Sequence, residues 1–366
     1  MAQPLIPADL LKKSDKILFI AHLALGDFTY LQNCFQAFAQ ANPHIKIHLW
    51  VDEVRRTNDA SQWEHLKKYS LYDWVASCPF FDKVYTRTYS PQLYQESIRE
   101  AQRENYPIVV SLATLRPHLY ANLARAISPQ GFVAGMTKKV KFFQPHHYLA
   151  YKKLNARIPP YSVSKDTPLH ITDVYADWFR QLCGLKIAPA DRFPFVHIPD
   201  QWLQYACDQL LQWDFKPGTG KLVFINPYAK TRKRCWPLDK VAELIIAMRK
   251  QQKWRDACFI VNAVPQELES ARKVIGSYGL QRTQLFSAEE NFFQLPAILS
   301  QCDLIISVET AVMHLANAVR VPVIALMRQK NPEWVPFDRD NSVVITAARR
   351  SDWVKEIPVE QVMKEL

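Results

Sequence analysis

Short apolar runs alternate with segments of helical periodicity along most of the chain. The first run, Lys16–Ala21, shows no alternation of polar positions, which is typical of a parallel strand covered on both faces. A helical pattern follows this run and ends before Pro43. Further buried strands are predicted at 45–51, 107–112, 131–135, 222–226, 259–262, 304–306 and 321–326. This strand–helix rhythm predicts an α/β protein built on parallel sheets.

The rhythm is interrupted once, near the middle of the chain. Three prolines at 189, 194 and 199, followed by the segment 217–220 (Pro-Gly-Thr-Gly), predict a linker zone at about 185–220. A chain of 366 residues is long enough for two domains. We therefore predict an N-terminal domain at 1–188, a C-terminal domain at 189–345 and a helical tail at 346–366.

Residues 136–167 depart from the rhythm and combine cations with aromatic rings. The basic and histidine residues of this segment are Lys138, Lys139, Lys141, His146, His147, Lys152, Lys153 and Arg157. The segment is predicted to be a loop-rich insert. Such a surface suits an anionic, partly apolar partner, for example a phosphorylated glycolipid at a membrane. The alternative is a solvated loop with a few stacked rings.

The net charge of +11 narrows the classes of partner. It fits a nucleic-acid binder, a protein on an anionic membrane surface, or an enzyme with phosphorylated substrates. Nucleic-acid binders usually concentrate their charge in one domain or tail, whereas here the cations are spread and accompany no nucleic-acid motif. We therefore expect no nucleic-acid partner.

Composition also predicts a cytoplasmic protein. The longest apolar runs fall far short of the ~20 residues of a membrane-spanning helix, and the first fourteen residues lack the apolar core of a signal peptide. The seven cysteines form no CxxC pair, which favours reduced, buried thiols over disulfides or zinc ligands. No metal-ligand spacing stands out, and no GxSxG or Walker motif is present.

Three polar segments follow predicted strands, where α/β folds collect their ligands. They are Gly26-Asp27, the cationic stretch Lys230–Arg234, and Ser307–Thr310, which leads into a helix carrying His314. Dense cations suit a diphosphate, and a helix start capped by Ser307 or Thr310 offers N–H groups to an anion. The alternatives are an ordinary turn with Asp27 as a helix cap, and a capped helix with a buried histidine.

These three segments, in this order, resemble glycosyltransferase family 9, the ADP-heptose:lipopolysaccharide heptosyltransferases of Gram-negative bacteria. The family opens with a strand and a Gly-Asp segment, here Gly26-Asp27. Its Lys-Arg-Trp-Pro-like segment is similar to Arg234-Cys235-Trp236-Pro237. Its Asp-Thr-Gly-x-x-His-Leu-Ala segment is similar to 309–316, which reads Glu-Thr-Ala-Val-Met-His-Leu-Ala and is followed by a strand containing a proline.

The resemblance implies a GT-B fold: two Rossmann-like, doubly wound domains facing a central cleft, with the acceptor held by the first and the donor by the second. It implies that Asp27 is the catalytic base of an inverting reaction that needs no metal ion. The implied donor-binding residues are Lys233, Arg234, Glu267, Glu309, Thr310, Ala311 and His314. The implied acceptor-binding residues are Gly26, Arg116, His118, Lys138 and Lys139.

The function implied is transfer of heptose from ADP-heptose to a Kdo- or heptose-bearing acceptor of the lipopolysaccharide or lipooligosaccharide core. The nucleotide sugar is then a substrate, with no cofactor, and the partner is an anionic glycolipid of the lipid A–Kdo type. A monomer in peripheral contact with the cytoplasmic face of the inner membrane is expected. Glu309 and Ala311 stand where the family has aspartate and glycine. They motivate the alternatives of another nucleotide sugar, or of a degenerate member that binds nucleotide or glycolipid without transfer.

Overall fold

The computed structural model describes residues 3–52, 55–140, 143–159, 169–216, 218 and 220–366. The chain divides into two compact units, Met1–Arg192 and Phe193–Leu366. This division lies inside the predicted linker zone and four residues beyond the predicted end of the first domain. The helix within the linker zone, Asp200–Gln212, belongs to the second unit.

The described residues of the first unit form a parallel sheet with helices on both faces. Its strands are β1 (Lys16–Ala21), β2 (Lys46–Val51), β3 (Lys83–Tyr85), β4 (Ile108–Ser111), β5 (Phe132–Met136) and β6 (Ala156–Ile158). Its helices are α1 (Ala8–Lys13), α2 (Leu25–Ala41), α3 (Trp63–Lys67), α4 (Ser70–Ala76), α5 (Pro91–Arg103), α6 (Pro117–Ile127), α7 (Pro145–Tyr151) and α8 (Ile171–Cys183). The strands lie in the order β3-β2-β1-β4-β5-β6.

Strand β1 is buried on both faces, as its continuous apolar run predicts. Phe19 faces α2 and α8, where its ring lies 5.2 Å from Phe35 and 5.7 Å from Phe179 between centroids. The neighbouring positions Leu18 and Ile20 face the other way, into the core beneath α5 and α6. Because strand side chains alternate between faces, both faces of a covered strand must be apolar.

The prediction of a loop-rich insert at 136–167 is wrong for the residues that the structure describes there. Helix α7 buries Ala150 and Tyr151, and β6 pairs in parallel with β5. Leu154 and Ile158 are buried as well, so apolar side chains and pairing with the edge strand β5 order this basic segment. Lys141, Phe142 and residues 160–168 lie outside the described residues.

The second unit repeats the plan. Its strands are β7 (Leu222–Asn226), β8 (Cys258–Asn262), β9 (Thr283–Phe286), β10 (Leu304–Val308), β11 (Val323–Met327) and β12 (Ser342–Thr346). Its helices are α9 (Asp200–Gln212), α10 (Leu238–Arg249), α11 (Leu268–Ser277), α12 (Gln294–Leu299), α13 (Ala311–Ala318) and α14 (Val359–Met363). The strands lie in the order β12-β11-β10-β7-β8-β9, again all parallel.

Numbered within its own unit, each sheet has the strand order 3-2-1-4-5-6 of the Rossmann fold. The predicted α/β class with two doubly wound domains is therefore confirmed. In such sheets the strand order reverses between the first and fourth strands, which is the topological switch point. The crevice outside the carboxyl ends of these two strands binds ligands. The relevant pairs are β1 with β4 in the first unit, and β7 with β10 in the second.

The predicted tail, residues 346–366, contributes several side chains to the core of the second unit. Val354, Ile357 and Val362 are buried in the same apolar cluster as α10. Buried Trp236 donates from Nε1 to the Ile357 carbonyl at 3.0 Å. The tail therefore anchors the Trp-Pro segment that ends the cationic stretch after β7.

Candidate functional site

The first site lies where β1 gives way to α2. The sequence predicts Gly26-Asp27 on a loop, but α2 begins at Leu25, so both residues lie in its first turn. Asp27 is the third helical residue, and its Oδ2 accepts a hydrogen bond from the Ala24 N–H at 3.1 Å. A carboxylate in the first turn satisfies an otherwise unpaired N–H and interacts favourably with the helix dipole, so the helix starts early.

Asp27 is held by groups from two parts of the first unit, the segment between β1 and α2 and helix α8. Tyr175, buried on α8, donates from its hydroxyl to Oδ1 at 3.1 Å. Burial raises the pKa of Asp27, while the hydrogen bonds from Ala24 and Tyr175 and the charge of His22 act in the opposite direction. The side chain itself is half-buried. The result is an oriented carboxylate, accessible to solvent and more basic than an ordinary aspartate.

The other predicted residues of the first unit follow β4 and β5. Arg116 is exposed, has a left-handed backbone (φ 53°) and precedes Pro117, the first residue of α6. It therefore follows the second strand of the switch point, as Asp27 follows the first. Lys138 and Lys139 are exposed beyond β5. His118 is half-buried, with its ring stacked on His147 at 3.7 Å between centroids.

In the second unit a buried carboxylate joins three strand ends. Glu309, 5% exposed, follows β10, whose neighbours are β7 and β11. Its Oε1 accepts from Arg234 Nε at 2.9 Å and from Arg328 Nε at 2.6 Å, and its Oε2 accepts from the Arg328 backbone N–H at 3.1 Å. Arg234 lies in the segment after β7 and Arg328 directly follows β11. Because the strands are parallel, all three residues meet at one edge of the sheet.

Amides and a hydroxyl fix the strand ends beneath this ion cluster. Asn226 at the end of β7 donates to Ser307 Oγ in β10 at 3.1 Å. Asn262 at the end of β8 donates to Asn226 Oδ1 at 2.8 Å. Ser307 and Asn226 are almost fully buried. Buried polar groups of this kind order a site because each one is satisfied by only one arrangement.

The start of α13 differs from the sequence prediction. Strand β10 runs two residues further than predicted and includes Ser307. Thr310 occupies the N-cap position, but its side chain makes no capping hydrogen bond. Neither predicted side-chain cap therefore forms. Ala311 is the first helical residue, and His314 is buried, with its ring 5.9 Å from that of Trp334.

Two further predicted donor residues lie at strand ends of the second unit. The exposed Lys233 ammonium lies 5.6 Å from the centroid of the Trp353 ring in the tail. Glu267 is exposed at the end of a 3-10 helix after β8. Burial, and then the charge of Glu267, raise the pKa of Tyr228 to about 12. Tyr228 and Glu267 thus lie near each other, after adjacent strands.

Two contacts were not predicted. Arg328 could have been found, because it follows a predicted strand beside the one that precedes Glu309. Tyr175 could not have been predicted from the sequence. It lies on an amphipathic helix, where its position is typical of a core residue, and its contact with Asp27 spans 148 positions of sequence.

Together the second-unit groups present two arginines, one bound carboxylate and a helix start, which can neutralise a diphosphate.

Comparison with known proteins agrees with this architecture. A family model described as glycosyltransferase family 9 (heptosyltransferase) matches residues 161–360, more than half of the chain. No curated protein matches the sequence.

Among solved structures, a glycosyl transferase family 9 protein from Veillonella parvula is 18% identical, with a TM-score of 0.72 and coverage of 96% of this chain and 95% of that one. ADP-heptose lps heptosyltransferase II from E. coli is 15% identical, with a TM-score of 0.65 and coverage of 96% and 97%. E. coli heptosyltransferase WaaC with ADP is 16% identical, with a TM-score of 0.63 and coverage of 96% of both chains. These similarities concern the fold, which is GT-B. With its two Rossmann-like domains and its family match, the chain belongs to glycosyltransferase family 9, the heptosyltransferase family.

Proposed function

We propose that this chain is an inverting glycosyltransferase that transfers heptose from ADP-heptose to a Kdo- or heptose-bearing acceptor of the lipopolysaccharide or lipooligosaccharide inner core. The observation that carries the proposal is that one switch point presents a candidate base and the other presents a candidate diphosphate site. A carboxylate of raised pKa follows β1, and an arginine cluster beside a helix start follows β7, β10 and β11. A base and a diphosphate site are what transfer from a nucleotide sugar requires.

The donor would bind to the second unit. Arg234 and Arg328 carry two positive charges against the single charge of Glu309, so the cluster keeps a net positive charge. The N–H groups at the start of α13, next to Thr310 and Ala311, add a partial positive charge. Glu267, exposed after β8, would accept hydrogen bonds from the ribose hydroxyls. Lys233 and His314 complete the proposed set of donor-binding residues. Lys233 is exposed in the segment after β7, and His314 is buried on α13.

The chemistry assigned to Asp27 is a single displacement. The acceptor hydroxyl would transfer its proton to the carboxylate as its oxygen forms the new bond to the anomeric carbon. The bond from that carbon to the diphosphate oxygen breaks at the same time, and ADP leaves with the electron pair. One displacement inverts the anomeric centre. The arginines and the α13 helix start would stabilise the departing charge in the role that other enzymes give to a metal ion.

The acceptor is assigned to the first unit, near Gly26, Arg116, His118, Lys138 and Lys139. Exposed apolar side chains accompany these cations on α6 and α7 and near them: Leu115, Leu119, Phe143, Tyr148 and Leu149. Cations beside apolar side chains suit a phosphorylated glycolipid at a membrane surface. Within the described residues, no helix is both long and apolar enough to span a bilayer. On the strength of these cations and exposed apolar side chains, peripheral contact of a monomer with the cytoplasmic face of the inner membrane is proposed.

The test is release of ADP from ADP-heptose in the presence of a Kdo–lipid A acceptor, with product identified by mass spectrometry. We expect acceptor-dependent ADP release that survives treatment with EDTA. Absence of transfer at enzyme concentrations comparable to substrate would contradict the proposal, provided that the same preparation unfolds cooperatively.

Glu309 and Ala311 support a second candidate, a nucleotide-binding member that uses a different sugar or transfers none. A bound donor raises the unfolding temperature by mass action, so a thermal-shift screen across nucleotide sugars separates the cases. Stabilisation by ADP-heptose above that by other nucleotide sugars favours the heptosyltransferase. Equal stabilisation by ADP alone, with no transfer to any acceptor, favours the binding protein.

The pH profile of transfer should depend on Tyr175. Its O–H donates to Asp27, so it stabilises the charged carboxylate and holds the pKa down. In Tyr175→Phe the pKa of Asp27 rises further. A base works only when ionised, so the acid limb of the kcat/KM profile should move to higher pH, with most activity retained on the alkaline side.

The control is Tyr85→Phe, which removes another buried hydroxyl of the first unit, one bonded to Tyr106 at 2.9 Å. Its acid limb should coincide with that of the unmodified chain. A Tyr175→Phe profile that also coincides with it would disprove the coupling.

A further inference from the structure

Three histidines meet on the surface of the first unit. His118 lies on α6, and His146 and His147 lie in the first turn of α7. One ring nitrogen from each lies within 4.8 Å of the other two. The rings of His118 and His147 are nearly parallel, 3.7 Å between centroids, and the ring of His146 lies 4.4 Å from that of His147. In the part of the chain that the structure describes, this is the one group of three metal-ligating side chains so placed.

The fold creates this cluster from residues that share no metal-ligand spacing in the sequence. Strand β4 leads into α6, and β5 leads through the basic segment into α7, which packs against α6. Pro117 and Pro145 are the first residues of the two helices, so each histidine follows directly after a helix start. The first turns of α6 and α7 therefore bring their histidines together, although His118 and His146 are separated by 28 positions of sequence.

The donor set matches the chemistry of zinc. Three imidazole nitrogens and one open position form a common arrangement around Zn²⁺, with Zn–N bonds of about 2.0–2.1 Å and hence about 3.3 Å between nitrogens in a tetrahedron. The ring nitrogens would have to close by at most about 1.5 Å, which rotation of partly exposed rings can supply.

We propose that His118, His146 and His147 form a zinc-binding site that ties α6 to α7, with a fourth position open to water or an anionic oxygen. Arg116, two residues before His118, repels a cation, but water and salt screen charges at this surface. The bound ion would restrain the two helices that carry the exposed apolar side chains. The site shares no residue with the cluster around Glu309, but it shares His118 with the proposed acceptor surface. His146 and His147 have no assigned role in the proposed sugar transfer.

Isothermal titration of the metal-free full chain with ZnCl₂ tests this site. We expect one Zn²⁺ per chain and a rise in unfolding temperature on binding. His147→Ala should weaken binding at least tenfold and remove the thermal shift. His44→Ala, which changes an exposed histidine elsewhere in the same unit, should change neither.

Two further measurements distinguish binding by the histidines from binding by a thiol. Cys207 is exposed, so Cys207→Ala tests whether a thiol binds the metal instead. A Co²⁺ complex of the chain should show visible bands of a tetrahedral nitrogen–oxygen site without a thiolate charge-transfer band. Equal zinc affinity in the unmodified chain and in His147→Ala, with both variants folded by circular dichroism, overturns the proposal, and so does loss of binding in Cys207→Ala. Sugar transfer assayed in EDTA is unaffected by either result.

Discussion

Asp27→Asn is expected to lower kcat for sugar transfer by ~10²–10⁴-fold, the range that a positioned general base contributes. The amide has nearly the same shape as the carboxylate but cannot take the acceptor proton. Asp27 lies in the first unit and the arginine cluster lies in the second, so the affinity for ADP should stay within about twofold. Steady-state kinetics and calorimetry with ADP measure the two quantities separately.

The matched control is Asp173→Asn. Asp173 is likewise the third residue of a helix in the first unit, and its carboxylate accepts from the N-cap N–H of His170 at 3.0 Å. Loss of this helix-start interaction and of the ion pair between Asp173 and Arg192 should lower stability and leave kcat nearly unchanged. A similar fall in kcat for both variants would mean that the Asp27 effect is structural. An Asp27→Asn variant with more than a tenth of the original kcat would exclude it as the base.

Glu309→Gln should destabilise the second unit by about 3 kcal/mol. The reason is that removing one partner of a buried ion pair leaves the other charge desolvated and unpaired. Arg328 is only 10% exposed and carries most of this cost, whereas Arg234 is 39% exposed and can turn towards water. Chemical unfolding measures the change, and ADP should restore part of the lost stability, since its diphosphate can replace the missing anion.

Two further variants serve as comparisons for Glu309→Gln. Glu269→Gln breaks an exposed pair with Lys273 on α11 and should leave the unfolding free energy unchanged within error. Glu309→Asp keeps the charge but is one methylene shorter, so it cannot reach both arginines and the Arg328 N–H together. The loss of unfolding free energy in Glu309→Asp should lie between the losses in Glu309→Gln and Glu269→Gln. Equal stability of Glu309→Gln and Glu269→Gln would contradict the role assigned to this buried carboxylate.

The departure from the family pattern at Glu309 therefore has a physical interpretation. The longer side chain reaches cations on both neighbouring strand ends, through contacts of 2.6 and 2.9 Å. Arg328 is held by both its guanidinium and its backbone N–H, so it is preorganised before any donor arrives. We expect donor specificity to be sensitive to this residue because it sets where the two cations lie.

The sequence by itself determined the α/β class, the two repeats of the strand–helix rhythm and the position of the polar segments at strand ends. These features are local: a doubly covered parallel strand must be apolar at every position, and its carboxyl end must turn. The start of α2 was missed by a few residues because a carboxylate at Asp27 extends the helix. The end of β10 was missed because Ser307, though polar, is satisfied inside the sheet by Asn226.

Only the tertiary structure decided which of these residues act together. The contacts of Asp27 with Tyr175, of Glu309 with Arg234 and Arg328, and among the three histidines join distant parts of the chain. Their partners come from neighbouring strands or from helices packed on them, and periodicity does not reveal that pairing. Strand order sets it, since the order 3-2-1-4-5-6 brings the ends of β7, β10 and β11 to one edge. Along the chain, Arg234 and Arg328 lie 75 and 19 residues away from Glu309.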